Sequence, residues 1–178
     1  MPRLFTAIRL PANVAMALSL VQGGIRDARW IDRENYHLTL RFVGDIQNGT
    51  ADELAAALEQ SSGPRFHVTL RGIGFFGGSK PRSIWAGVSS SDPLNDLQSR
   101  QERICQSIGL HPEQRKFTPH VTLARLNSRV SPLEVEEFAA RHAGSQWQTF
   151  EVSAFELLSS KPSRGGGPYV VERVYELD

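Results

Sequence analysis

The chain has one cysteine, Cys105, so neither an intramolecular disulfide nor a thiolate metal cluster can form within it. It lacks any apolar run near the roughly 20 residues of a membrane span. It also lacks a charge excess: 20 Lys and Arg stand against 19 Asp and Glu, a net of +1. That balance excludes a sequence-blind nucleic-acid coat, which needs a strong basic field, but leaves room for a local pocket for one or two phosphates. Arg9 and Pro11 break the N-terminal segment before a signal-peptide core could form, so the cytoplasm is the expected location. What is present, 40% apolar and 22% charged residues over 178 positions, suits one soluble domain or two small lobes sharing a core.

Short strand-like runs alternate with helical patterns. Strands are expected over Arg3–Leu10, Asn35–Val43, Arg65–Phe76, Ser83–Val88, Phe117–Leu126, Phe150–Leu158 and Tyr169–Leu177. Helices are expected over Pro11–Val21, Ala51–Gln60, Pro93–Ile108 and Pro132–Arg141, the last with Leu133 and Phe138 facing inward. The order repeats. Pro11 and Pro93 open comparable helices, His37 and His120 open comparable strands, and Phe66-His-Val-Thr69 aligns with Phe150-Glu-Val-Ser153. Residues 1–178 therefore read as one bilobal domain built from two similar halves, about 1–80 and 81–178.

Within this repeat lie His37-Leu-Thr-Leu40 and His120-Val-Thr-Leu123. Residues i and i+2 of a strand share a face, so each strand pairs an imidazole with a hydroxyl and carries an apolar reverse side. Imidazole exchanges protons near neutrality. Two of them flanking a phosphodiester can serve as base and acid, while threonine hydroxyls donate to the non-bridging oxygens. A third copy, His67-Val-Thr-Leu70, exceeds the chance expectation of roughly 0.2 matches just as the others do. The repeat separates it: His67 aligns with Glu151 and has no symmetric counterpart, so it reads as a sheet-face histidine.

Asn35–Gly44 and Phe117–Arg125 resemble the paired motifs of the two-histidine phosphoesterases. They are most similar to the LigT-like group of RNA 2′,3′-cyclic phosphodiesterases and 2′-5′ RNA ligases. Phe5-Thr-Ala-Ile8, Trp30-Ile31 and the Gly-rich loop Arg164–Tyr169 extend the resemblance along the chain. It implies an α+β bilobal fold, internally duplicated, with two mainly antiparallel sheets facing a central cleft and helices outside. It implies hydrolysis of a ribose 2′,3′-cyclic phosphate to a 2′-phosphate without metal or other cofactor. By the same resemblance His120 is the base that activates water, His37 the acid that protonates the 3′-oxygen, and Thr39 and Thr122 hold the phosphate. RNA ends bearing the cyclic phosphate are the implied partners, and a monomer is expected. Two alternatives stay open: a ligase joining cyclic-phosphate and 5′-hydroxyl ends, and a non-catalytic RNA-end-binding module.

Arg125 stands where the family carries an arginine. Strict alternation points it away from His120, so a phosphate contact requires the strand to bend. Arg41 has the better face by alternation and reads as a solvated strand residue. Gly72-Ile-Gly-Phe-Phe-Gly77 fits a dinucleotide-loop pattern, but Gly78-Ser-Lys-Pro-Arg82 follows where a helix is needed. The loop Ser160–Pro168 carries two cations and is a candidate cover for RNA. Tyr36 and Phe117 flank the motifs as candidate base-stacking rings. Cys105 reads as a small buried residue, and a zinc site from His37, His67 and His120 lacks the supporting His-x-x-x-His spacing.

Overall fold

The computed structural model describes residues 2–161 and 167–178. The first expected strand forms as β1 (Arg3–Arg9), whose five central residues are all buried. Its partner is the first motif strand, β3 (His37–Asp45), paired antiparallel along its length. The second motif strand, β7 (His120–Arg125), pairs with β6 (Ser83–Val88), which in turn pairs with β5 (Leu70–Phe76). On the far side of β1 lie β9 (Ala154–Ser160) and β10 (Tyr169–Glu176). A two-residue strand that periodicity missed, β2 (Arg29–Trp30), pairs with the end of β7.

The large sheet thus runs β10-β9-β1-β3-β7-β6-β5. Its two halves meet at the pair Leu38↔Val121 between β3 and β7, a narrow seam on the repeat axis. The α+β class and the antiparallel pairing agree with expectation. The two halves of this sheet are continuous through the seam, and a separate small sheet pairs β4 (Phe66–Val68) with β8 (Phe150–Val152).

Two expected strands prove to be two strands each. Arg65–Phe76 breaks at Thr69 and Phe150–Leu158 at Ser153, positions that the repeat aligns. At each break the carbonyl turns aside to accept from a new partner: Ser89 N–H reaches Thr69 O at 2.9 Å, and Leu177 N–H reaches Ser153 O at 2.8 Å. The segment before the break joins the small sheet and the one after it the large sheet. The halves thereby exchange their last strands, with β5 beside β6 and β9 beside β1. Each side of the seam is built from both halves of the sequence.

Among the described residues four α-helices form: α1 (Ala12–Ser19), α2 (Asn48–Ala57), α3 (Asp92–Ser107) and α4 (Pro132–Arg141). α3 and α4 begin alike, with a serine hydroxyl (Ser91, Ser131) accepting from a first-turn N–H and a proline in that turn. Starting at Pro132 puts Leu133 in the outward first turn, where it is 61% exposed; Val135 and Phe138 take the buried face instead. Leu94, Leu97 and Cys105 bury one side of α3 in the core shared by both sheets.

One buried ion pair ties α3 to the motif strand. The Arg41 guanidinium donates to the Glu102 carboxylate of α3 and to the carbonyl of His111 at 2.6 Å. Glu102 also accepts from the backbone of Glu113 at 3.0 Å, so the pair pins the loop that leads to β7. Only 7% of the Arg41 side chain is exposed, which corrects its reading as a solvated strand arginine. Arg41→Met leaves that carboxylate half-sheltered without its cation. The expected loss is about 3 kcal/mol, read as a lower urea midpoint at unchanged slope.

Candidate active site

All four motif side chains lie on one face of the large sheet. Leu38 and Val121 are fully buried on the other, and their antiparallel register sets His37 against Thr122 and Thr39 against His120. Each histidine is held the same way. His37 Nδ1 lies 2.8 Å from the carbonyl of Asn35, and His120 Nδ1 lies 2.7 Å from that of Thr118, two residues upstream in both cases. A carbonyl can only accept, so Nδ1 carries the hydrogen and the neutral ring presents a bare Nε2.

Aromatic rings pack around both imidazoles. His37 lies 5.1 Å from Phe5 and edge-on to Tyr169 at 4.9 Å. His120 stands edge-on to Phe76 at 4.9 Å and tilted to Trp85 at 5.9 Å. The indole can lie there because residue 74 is glycine: a Cβ would stand 2.3 Å from the ring. Gly74 serves this contact, while Gly72 and Gly77 take positive φ at a strand irregularity and at the turn after β5. The segment is strand β5 running into a turn, with no helix to receive a pyrophosphate.

Burial pushes the His37 imidazolium down to about 4, helped by the charges of Arg125, His120 and Arg9 and opposed by the Asn35 carbonyl. Burial also lowers His120, again with Arg125 adding to the effect. The guanidinium of Arg125 therefore acts on both imidazoles.

Its position comes from a bulge. In β7, Thr122 pairs with Trp85 but the next pairs are Ala124 with Ile84 and Arg125 with Ser83, so Leu123 is an extra residue. The strand gains one residue, and Arg125 turns onto the face of His120 and Thr122. This is the bend that phosphate contact required. β3 repeats it: Thr39 pairs with Ala7 and Arg41 with Thr6, leaving Leu40 extra. Here the bulge sends Arg41 through to the opposite face and brings Phe42, 45% exposed, to the site side. Alternation alone had these two reversed. Phe42 and Arg125 occupy equivalent places in the repeat.

The remaining candidates fall outside this group. His67 sits on the small sheet directly opposite Glu151, its partner in the repeat. The three histidines do not converge, and among the described residues no cluster of three metal-ligating side chains exists. Tyr36 is 2% exposed and accepts from Gln22, a core residue unable to stack on a base. Phe117 is half-buried beside the cleft. Cys105 is buried, and burial raises its thiol to about 11. Of the loop 160–168, residues 162–166 lie outside the described part. Gly167 abuts the side chain of Asn35, just upstream of His37.

Duplicated histidine–threonine strands on an antiparallel α+β scaffold are the layout of the two-histidine phosphoesterases. Within that class, the chain belongs to the 2′-5′ RNA ligase superfamily, which it matches over residues 21–164. It is 33% identical to the RNA 2′,3′-cyclic phosphodiesterase of Aeropyrum pernix over 149 residues, 83% of this chain and 84% of that protein. The protein of the same name from Aquifex aeolicus is 32% identical over 153 residues, 83% of this chain and 81% of its own. The crystal structure of Escherichia coli LigT complexed with 3′-AMP superposes with a TM-score of 0.78 at 24% identity, covering 99% of this chain and 98% of that one. Among the described residues no helix is long and apolar enough to cross a membrane.

Removing the guanidinium in Arg125→Met takes away a repulsion felt by both imidazoles. Both histidine pKa values are expected to rise, and phosphate affinity to fall about tenfold. NMR titration of the ring protons with and without inorganic phosphate measures both; unchanged titration of both rings contradicts a shared cleft.

Proposed function

We propose that the chain is an RNA 2′,3′-cyclic phosphodiesterase that hydrolyses a terminal ribose cyclic phosphate to a 2′-phosphate. The observation that carries this reading is the pair of Nδ1-anchored imidazoles, each set against the other motif's threonine. His120 Nε2 takes a proton from water as the water oxygen bonds to phosphorus. The bond from phosphorus to the 3′-oxygen breaks, and His37 gives that oxygen its proton. Thr39 and Thr122 donate to the non-bridging oxygens, and Arg125 offsets the charge they gain. No step needs a metal or another cofactor. One chain supplies both histidines, so a monomer suffices. A lone buried cysteine suits a reducing compartment such as the cytoplasm.

His37 needs the substrate to play the acid, since the free protein holds it neutral down to about 4. The phosphodiester's negative charge stabilises an adjacent imidazolium and returns the proton to it. Ligation is the same displacement at phosphorus with a 5′-hydroxyl oxygen in place of water: the bond to O5′ forms as the bond to the 3′-oxygen breaks. The family's name favours keeping it as a second reading. Product analysis with cyclic-phosphate and 5′-hydroxyl fragments separates the two. A binding module would have little use for two proton-transfer groups held this way.

His37→Ala and His120→Ala are each expected to lower hydrolysis of a 2′,3′-cyclic nucleotide by roughly a thousandfold, His67→Ala to leave it unchanged, and EDTA to have no effect. Full activity in either motif variant overturns the reading, and loss in EDTA returns a metal to consideration. With bis(p-nitrophenyl) phosphate, whose leaving group needs no proton, His37→Ala should retain more activity than His120→Ala.

The pH profile is set by the same groups. The productive state carries one proton on the pair, and both free-protein pKa values are depressed. The kcat/KM optimum therefore falls on the acid side of 6.5. Above it both rings are neutral, the acid is lost, and kcat/KM falls about tenfold per pH unit. The kcat profile, which reports the complex, lies at higher pH. A kcat/KM optimum at pH 8 contradicts this.

A further inference from the structure

We propose that the RNA strand upstream of the cyclic phosphate leaves the site across the His120 side. There a base stacks among Phe42, Phe76 and Phe117, and Arg82 and Lys116 hold the next phosphates. This makes the preferred substrate an oligonucleotide and not a mononucleotide, and it rests on the reading of the site as a cyclic phosphodiesterase.

A cleft of about 460 Å³ opens beside Thr39 and His120, lined by these five residues among others. Its three aromatic rings come from separate elements: the bulge of β3, the end of β5 and the loop before β7. Phe42 is 45% and Phe76 37% exposed, large apolar faces left to solvent on the site side of the sheet. Base stacking on such rings is tolerant of sequence and worth about 1–3 kcal/mol per base.

The cations near the two imidazoles differ in how they are engaged. Arg9, directly across from His37, is paired with Glu156. In the His120 cleft Arg41 is paired with Glu102 and Arg115 with Glu113. The side chains of Arg82 and Lys116 are exposed and form no ion pair with a described residue. A cyclic phosphate is the 3′ end of its RNA, so all remaining chain is upstream and must exit over one flank. On the His120 flank, uncompensated cations and open rings line one and the same cleft. The near-neutral net charge of the chain agrees with a contact to few phosphates.

The test compares cytidine 2′,3′-cyclic phosphate with a tetranucleotide ending in the same group. The tetranucleotide is expected to have at least a tenfold higher kcat/KM, and Arg82→Ala with Lys116→Ala to abolish that advantage while the mononucleotide changes less than twofold. The salt dependence of tetranucleotide kcat/KM should flatten by about 0.7 in log–log slope per cation removed. A tetranucleotide no better than the mononucleotide, or equal losses on both, overturns the path and leaves the phosphodiesterase reading standing. If neither is hydrolysed, that reading fails. Fluorescence anisotropy of a labelled tetranucleotide 3′-phosphate then still decides the path: tenfold weaker binding by the double variant supports it, and equal binding overturns it.

Discussion

Leu40 and Leu123 each occupy a place in their strand that the neighbouring strand does not match. A strand that gains one residue reverses the direction of every later side chain. Before the bulge, alternation puts His and Thr on the site face and Leu or Val beneath. After it, residues 42 and 125 turn toward the site and residues 41 and 124 into the core. Both bulges are needed, because each lobe of the cleft wall is made by the residues just past its own motif. Arg41 then reaches α3 and fixes the loop carrying Phe117, so the first motif's bulge also shapes the approach to the second motif. The buried Leu40–Arg41 and Leu123–Ala124 pairs make slippage costly, since a one-residue shift would expose a leucine and bury a site residue.

That geometry sets the electrostatics. Backbone carbonyls fix both imidazoles as Nδ1–H tautomers, and packed rings strip them of water. Desolvation then makes neutrality the resting condition. A cleft that held an imidazolium permanently would bind any anion tightly, ground state and transition state alike. One whose charge appears only with a bound phosphodiester directs its stabilisation to the complex. Arg125 is the fixed cation of the arrangement, and its cost is the further depression of both histidines.

The strands, helices and the pairing of His37 with His120 were legible because they rest on local periodicity and on a repeat contained in the chain. His67 was set aside on the repeat alone, and it lies opposite the very residue the repeat aligned with it. Legibility ended one residue past each threonine. A bulge is decided by the partner strand, so nothing in Leu-Arg-Phe or Leu-Ala-Arg declares it, and alternation puts both Arg41 and Arg125 on the wrong faces. The breaks at Thr69 and Ser153 were hidden for the same reason: an apolar run looks unbroken when its two parts serve different sheets. The exchange of final strands between halves is likewise a property of pairing, which no single segment carries.

A duplicated scaffold poses a problem for directed chemistry. A ribose 2′,3′-cyclic phosphate is itself close to symmetric about phosphorus, with two ester oxygens able to leave. A perfectly twofold cleft would accept it in either orientation and yield both products. Selection of one bond needs differences between the halves: Phe42 stands against Arg125 at the equivalent place behind the threonines, and different rings, Tyr169 and Phe5 on one side, Phe76 and Trp85 on the other, pack on the imidazoles. The two imidazoles also sit among different charges, His37 feeling His120 and Arg9 as well as the Arg125 that acts on both. Symmetry sets two imidazoles on one face of the sheet; in the proposed reaction, the departures from it are what would decide which oxygen receives the proton.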